Sequence, residues 1–552
     1  MKIVTLSYLI AVLWQASGKA PVVKTPLGKI EGFIYESDRK SVKMFTGIPY
    51  ATPPLESLRF LKPEPVEAWD DTLQAKKQSP ACMQYTEAPY PWYDVFYGIS
   101  EDCLYLNIYT PFFANKRSKL AVLFWIHGGG FTLGSNVIDI YDGSFLAHRE
   151  GVIVVTIQYR LGLFGFLTSN TSDAPGNVGM YDVVMALEWV HDNIEYFGGD
   201  KDRITISGEG EGSIAVSILC VSPLTKGLFS RAIMESGSII KLKYNMLDYN
   251  MDLSERLAEA VDCANDDSTI YDNPDDVLEC LRDRNATYLT KTLWSFNRLS
   301  MTSFFPQYGD DLLPNNALDD IRDGKFHNVS ILVGVASDEG SFFLSTEHPD
   351  KFGFFGEKNP KIYKKYAKTV LKSIFSNFTD PKKYIDFYLK DISDKKYDLI
   401  RRQVYTASGD TNILCPTMYF AESYAERNND VFYYFFTHRP SDTLWAQWMG
   451  VVHFEEVQFV FGRPLEATQK LWMKKVYNTK EVWLSLEMME IWANFAKDGR
   501  PRHPDMHPKW KKYTKENHTY LTIDIKHFGK LGTGPHLKNC NFLRDHFGFP
   551  SK

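Results

Sequence analysis

A chain of 552 residues with 44% hydrophobic and 14% aromatic content can bury a large core. Its 62 basic and 68 acidic residues are interspersed and leave a net charge of −6, which argues against nucleic acid as a partner. At the start of the chain, Lys2, an apolar run from Ile3 to Trp14 and the small residues Ala16, Ser17 and Gly18 give residues 1–18 the pattern of a secretory signal peptide. That run is too short to span a bilayer, and no later apolar run of about 18 residues follows. Residues 547–552 lack the hydrophobic tail of a glycolipid anchor. The expectation is a secreted protein without a membrane anchor, with residues 19–552 as one domain, because no Pro/Gly/Ser-rich linker divides them.

Residues 45–64 read as turns and short strands. Between Cys82 and Cys103 lies a loop dense in aromatics (Tyr85, Tyr90, Trp92, Tyr93, Phe96, Tyr97), either a surface lobe or the wall of a pocket. Residues 102–109 read as a strand. Residues 120–126 are continuously apolar, as in a strand covered on both faces, and run into His127-Gly128-Gly129-Gly130-Phe131. Those glycines leave backbone N–H groups free to approach an anion, the pattern of an oxyanion hole. Residues 152–158 form a second buried strand. Val183, Leu187, Val190 and Ile194 then recur at helical spacing until Gly198-Gly199 stops the helix.

The stretch Ile204-Thr205-Ile206-Ser207-Gly208-Glu209-Gly210-Glu211-Gly212 reads as a strand, a Gly-rich turn and the start of a helix over residues 213–219. That is the architecture of a nucleophile elbow, G-x-S-x-G, which presents only its central residue above a sheet. The central residue is Gly210, so the hydroxyl is missing, and neither Ser207 nor Ser213 is placed to substitute. Downstream, residues 331–335 form a buried strand capped by Ser337-Asp338-Glu339-Gly340, where Asp338 and Glu339 compete for the role of a triad acid. Residues 358–402 read as a helical layer and residues 431–436 as a late strand. His453 then stands at the chain position of a triad base. Strands alternating with helices imply a mostly parallel α/β sheet.

In a secreted chain, seven cysteines pose a disulfide question. Proximity favours Cys82–Cys103 and Cys263–Cys280. Cys415–Cys540 remains as the long-range pair, and Cys220, among apolar neighbours, reads as a buried free thiol. Glycosylation sequons occur at Asn170, Asn285, Asn328, Asn377 and Asn517. No spacing suggests a zinc site, and no metal or cofactor is expected.

Further motifs are Ser100-Glu101-Asp102-Cys103-Leu104-Tyr105-Leu106-Asn107, Ala174-Pro175-Gly176-Asn177-Val178-Gly179, Trp189-Val190-His191-Asp192-Asn193-Ile194, Phe197-Gly198-Gly199-Asp200, and the stretch from Trp445 through Gly462. Together they make the chain resemble the cholinesterases, within the type-B carboxylesterases of the α/β-hydrolase fold, over essentially its whole mature length. The three disulfide pairs match that family's pattern. The resemblance implies an oxyanion hole of Gly129, Gly130 and the N–H of Glu211, with Glu339 as triad acid and His453 as base. It also implies that Trp92, Glu209 and Phe342 hold a quaternary ammonium. An aromatic face and a carboxylate attract such a cation by about 1–2 kcal/mol or more.

The departures are as informative. Gly210 replaces the nucleophile, Glu211 a usual Ala, and Phe454 a Gly after the base. Ser300 and Thr302 stand where the acyl-pocket phenylalanines are expected, and the loop from Cys82 to Cys103 is short. The reading is therefore an inactive esterase-like protein whose partner is a small molecule such as a quaternary ammonium or choline ester, with a homodimer left open. An adhesion module of the neuroligin type and a residually active ester hydrolase are the alternatives.

Overall fold

The computed structural model describes residues 20–37, 40–90, 93, 96–296, 304–466, 478–503 and 509–549. The signal-like segment, Trp92, Ser300 and Thr302 lie outside the described residues. Eleven strands form the main sheet: β1 (Phe33–Ser37), β2 (Lys40–Pro49), β3 (Tyr105–Pro111), β4 (Leu120–Ile126), β5 (Ile153–Ile157), β6 (Gly199–Glu209), β7 (Arg231–Glu235), β8 (Ser330–Ala336), β9 (Val431–Phe436), β10 (Thr519–Ile523) and β11 (Leu531–Thr533). Across the sheet the order is β11-β10-β9-β8-β7-β6-β4-β5-β3-β2-β1. The run from β10 to β5 is parallel, and antiparallel pairs finish both edges.

The centre of the sheet is buried on both faces, which is why β4 and β5 read as unbroken apolar runs rather than alternating ones. Helices cover it, among them α1 (Val178–Asn193), α2 (Glu211–Val221), α3 (Gly340–Glu347) and α4 (Thr479–Asp498). Residues 358–402 bear a helical layer as expected, from Lys364–Ile374, Pro381–Leu389 and the start of Tyr397–Gly409. Residues 40–49 differ from the expectation of short pieces. They form one ten-residue strand, β2, bent where its register against β3 shifts between Phe45 and Ile48, with Gly47 at φ 73°. The helix that starts after the elbow takes in Glu211 and Gly212, two residues earlier than the sequence suggested.

Register brings the working ends together. Gly208 of β6 lies opposite Ile126 of β4, and Glu209 opposite Glu235 of β7. The loops leaving β4, β6, β7 and β8 therefore emerge side by side at the carboxyl ends of parallel strands, where open α/β sheets place ligands. Cys82–Cys103, Cys263–Cys280 and Cys415–Cys540 are disulfides. Cys220 is a buried free thiol, pushed up to about 12 by burial. All five sequon asparagines are exposed. Among the described residues, no helix is long and apolar enough to cross a membrane.

Candidate functional site

The turn between β6 and α2 is the tightest point of the site. Gly210 sits at φ 59°, ψ −122°, a conformation side chains adopt only under strain. Its flanking glycines are there because space is lacking. A Cβ at Gly208 would lie 2.6 Å from the Gly212 backbone, and one at Gly212 would run into the carbonyl of Ile126. At Gly210 itself the space is different, since a Cβ would approach His453 Nε2 at 3.2 Å. Position 210 thus points at the imidazole and offers it only a hydrogen.

His453 is held from both sides. Its Nδ1 lies 2.7 Å from Glu339 Oε2, and its Nε2 lies 3.1 Å from Glu209 Oε1. Glu339, rather than Asp338, meets the ring. The Asp338 carboxylate turns instead to the backbone N–H of Val451, 3.1 Å away. Burial works against a charged imidazole, but Glu209 and Glu339, helped by Glu211, outweigh it and raise His453 to about 10. Both carboxylates therefore favour the protonated ring, the form that accepts no further proton. Burial also pushes the Glu209 carboxyl well above its ordinary range, with His453 opposing.

Glu339 is anchored in turn. Its Oε1 accepts the N–H of Ala336 at 2.7 Å and lies 2.7 Å from the Ser236 hydroxyl, which is also 3.1 Å from Glu456 Oε1. Burial, with Glu339 as neighbour, raises Glu456 to about 7. Sequence reasoning missed Ser236 and Glu456. Neither lies in a motif that carries chemistry, and only the convergence of β7, β8 and the loop after β9 unites them.

On the other side, Gly130 N–H donates to Glu211 Oε2 at 2.7 Å. Glu211 Oε1 lies 3.8 Å from Lys241 Nζ, which stands 5.8 Å from the centre of the Phe343 ring. The expected oxyanion donors Gly129 and Gly130 are therefore beside a carboxylate that belongs to the chain. The cavity left among Gly128, Gly129, Tyr141, Glu209, Glu211, His453 and Phe454 is about 10 Å³, room for a single water-sized group. Phe454 holds φ 79°, a left-handed conformation where the family resemblance implied Gly, and its ring lies 6.2 Å from Tyr141.

Of the three residues assigned to a cation, Glu209 lines this cavity. Phe342 is 1% exposed and packs on Phe343, Trp445 and His453, outside the set that lines it. Ser207 and Ser213 are fully buried, and their hydroxyls donate to the carbonyls of Phe124 and Gly237 at 3.0 and 2.7 Å. Neither is available to replace a residue at position 210.

The chain is similar to known proteins along nearly its whole length. The chain is 38% identical to Acetylcholinesterase-1 of Trittame loki over 539 residues, covering 96% of this chain and 94% of that one. It is 35% identical to Acetylcholinesterase of Leptinotarsa decemlineata (95% and 85%) and 34% identical to Acetylcholinesterase of Bungarus fasciatus (96% and 86%). The family model described as "Carboxylesterase family" matches residues 19–543. With its α/β-hydrolase sheet and this cholinesterase-like sequence, the chain belongs to the carboxylesterase family.

Proposed function

We propose that this chain is a secreted, non-hydrolysing member of its family that binds a small organic cation instead of cleaving an ester. The observation that carries the reading is the apex of the elbow, where Gly210 faces His453 Nε2 with no hydroxyl between them. Two further features agree with it. The imidazole sits between two carboxylates that favour its protonated form, and the Gly130 N–H is engaged by Glu211. Removing the serine of such a triad costs roughly a millionfold in turnover in a comparable hydrolase. Glu209, Glu211 and Glu339 face one imidazole and one lysine, an excess of acidic groups that favours a cation.

The test sets hydrolysis beside binding on the purified glycoprotein. Acetylthiocholine and short aryl esters should not be turned over above buffer, while organic cations should give a calorimetric isotherm. A second reading, a surface interaction module, draws support from the smallness of the cavity. It gains if no cation binds.

A further inference from the structure

Resting on the reading of a cation-binding site, we infer that its ligand is a protonated primary amine, and that Lys241 is a tethered competitor for the same seat. Two buried carboxylates set the requirement. Glu209 is 2% exposed and lines the cavity. Its Oε1 is paired in charge with His453 Nε2 at 3.1 Å, but the contact lacks hydrogen-bond geometry and leaves the oxygen open to a better-directed donor. Glu211 Oε1 has Lys241 Nζ at 3.8 Å, within reach of charge but beyond hydrogen-bond length. Buried carboxylate oxygens in this state are best satisfied by charged N–H donors. A quaternary ammonium carries none.

Size points the same way. A free space of about 10 Å³ admits a water-sized ammonium head, whereas a trimethylammonium group is several times larger. Phe342 is packed into the core, so among the described residues it contributes no face to that space.

Lys241 supplies the precedent within the chain. Its ammonium stands over Phe343 with Glu211 beside it, and it is close enough to lower the proton affinity of the buried Glu347 that burial otherwise raises. It closes the short helical turn Ile239–Lys241 on the loop that follows β7. An alkylammonium entering from outside would take Glu209 and Glu211 as acceptors and release Lys241 from Glu211. A tethered cation competes at a high effective concentration, so removing it exposes the seat.

The experiment is calorimetry on the full glycosylated chain with n-butylammonium, tetramethylammonium and uncharged n-butanol, for wild type and Lys241→Met. Butylammonium should bind wild type at least about tenfold more tightly than tetramethylammonium, with no butanol binding, and Lys241→Met should tighten butylammonium by about tenfold more. Tetramethylammonium binding as tightly as butylammonium would overturn the inference while leaving the cation-binding reading intact. The inference is equally overturned if Lys241→Met folds, as judged by its thermal transition, and leaves the butylammonium affinity unchanged. If neither cation binds either protein, the cation-binding reading itself fails. The wild-type comparison keeps the size and donor claim testable even if the variant does not fold.

Discussion

Glu211 Oε2 accepts the backbone N–H of Gly130 at 2.7 Å, so a donor placed to hold an oxyanion holds the chain's own carboxylate. Glu211 is the first residue of α2, where a negative charge is favoured by the unpaired N–H groups of the helix start. Lys241 balances it from the other side. On the reading proposed above, the missing hydroxyl at Gly210, the engaged Gly130 N–H and an imidazole flanked by two carboxylates all act against ester hydrolysis.

The first prediction concerns Gly210→Ser. The new Cβ meets His453 Nε2 at 3.2 Å, so the ring must yield by a few tenths of an ångström, and the serine inherits a Gly130 N–H already engaged by Glu211. The single variant should show esterase activity barely above background. Adding Glu211→Ala should raise kcat by about 10²–10³, the value of one oxyanion donor. Comparable rates for the single and double variants, measured with acetylthiocholine and p-nitrophenyl acetate, would mean the carboxylate does not block the hole.

A second prediction follows from His453. Its folded-state pKa, raised to about 10, exceeds the unfolded value near 6.5. The stability it contributes is therefore fully present below about pH 6.5 and is lost as pH rises through about 10. Imidazole NMR should find His453 doubly protonated at about pH 8, and Glu339→Gln should move the titration downward. A neutral ring at pH 8 in the wild-type chain would contradict the two-carboxylate clamp.

Phe454 gives a third. Its φ of 79° is a strained choice for a side chain, with a cost on the order of 1–2 kcal/mol. Replacing it with Gly relieves that strain while sacrificing a half-buried ring on Tyr141. The denaturant midpoint of Phe454→Gly should therefore fall by less than that of Phe454→Ala, which loses the ring but keeps most of the strain. The reverse order would show that the backbone there is relaxed.

The fourth prediction uses loop size. Cys415–Cys540 spans 125 residues and Cys82–Cys103 spans 21. On the chain-entropy account, losing the longer link costs about 1.5 kcal/mol more than losing the shorter, which alone is worth about 3 kcal/mol. Unfolding of the two paired Cys→Ala variants checks the order. An equal or inverted order would place the stabilisation in native packing instead.

What could be read from the residues is what sterics dictate. Gly208 and Gly212 flank the elbow because any side chain would strike backbone, so their spacing alone announces the turn. The unbroken apolar runs of β4 and β5 announce a sheet covered twice. Spacing alone leaves Asp338 and Glu339 open because both lie in one turn; the family resemblance points to Glu339, and the path of the loop after β9 brings His453 to it. Lys241 carried no signal at all. It is a single lysine 30 residues beyond Glu211, joined to it by the register of β6 against β7. Phe342 shows what the residues alone could not give, since an aromatic at a family position says nothing of its burial, here 1% exposed beside Phe343, Trp445 and His453.

The absence of a nucleophile is tested most directly by treating the purified chain with an excess of an organophosphate ester and weighing it intact. No mass should be gained, and no peptide containing residues 204–219 should carry phosphorus. A stoichiometric adduct on that peptide, accompanied by a burst of leaving group, would contradict the account at its centre.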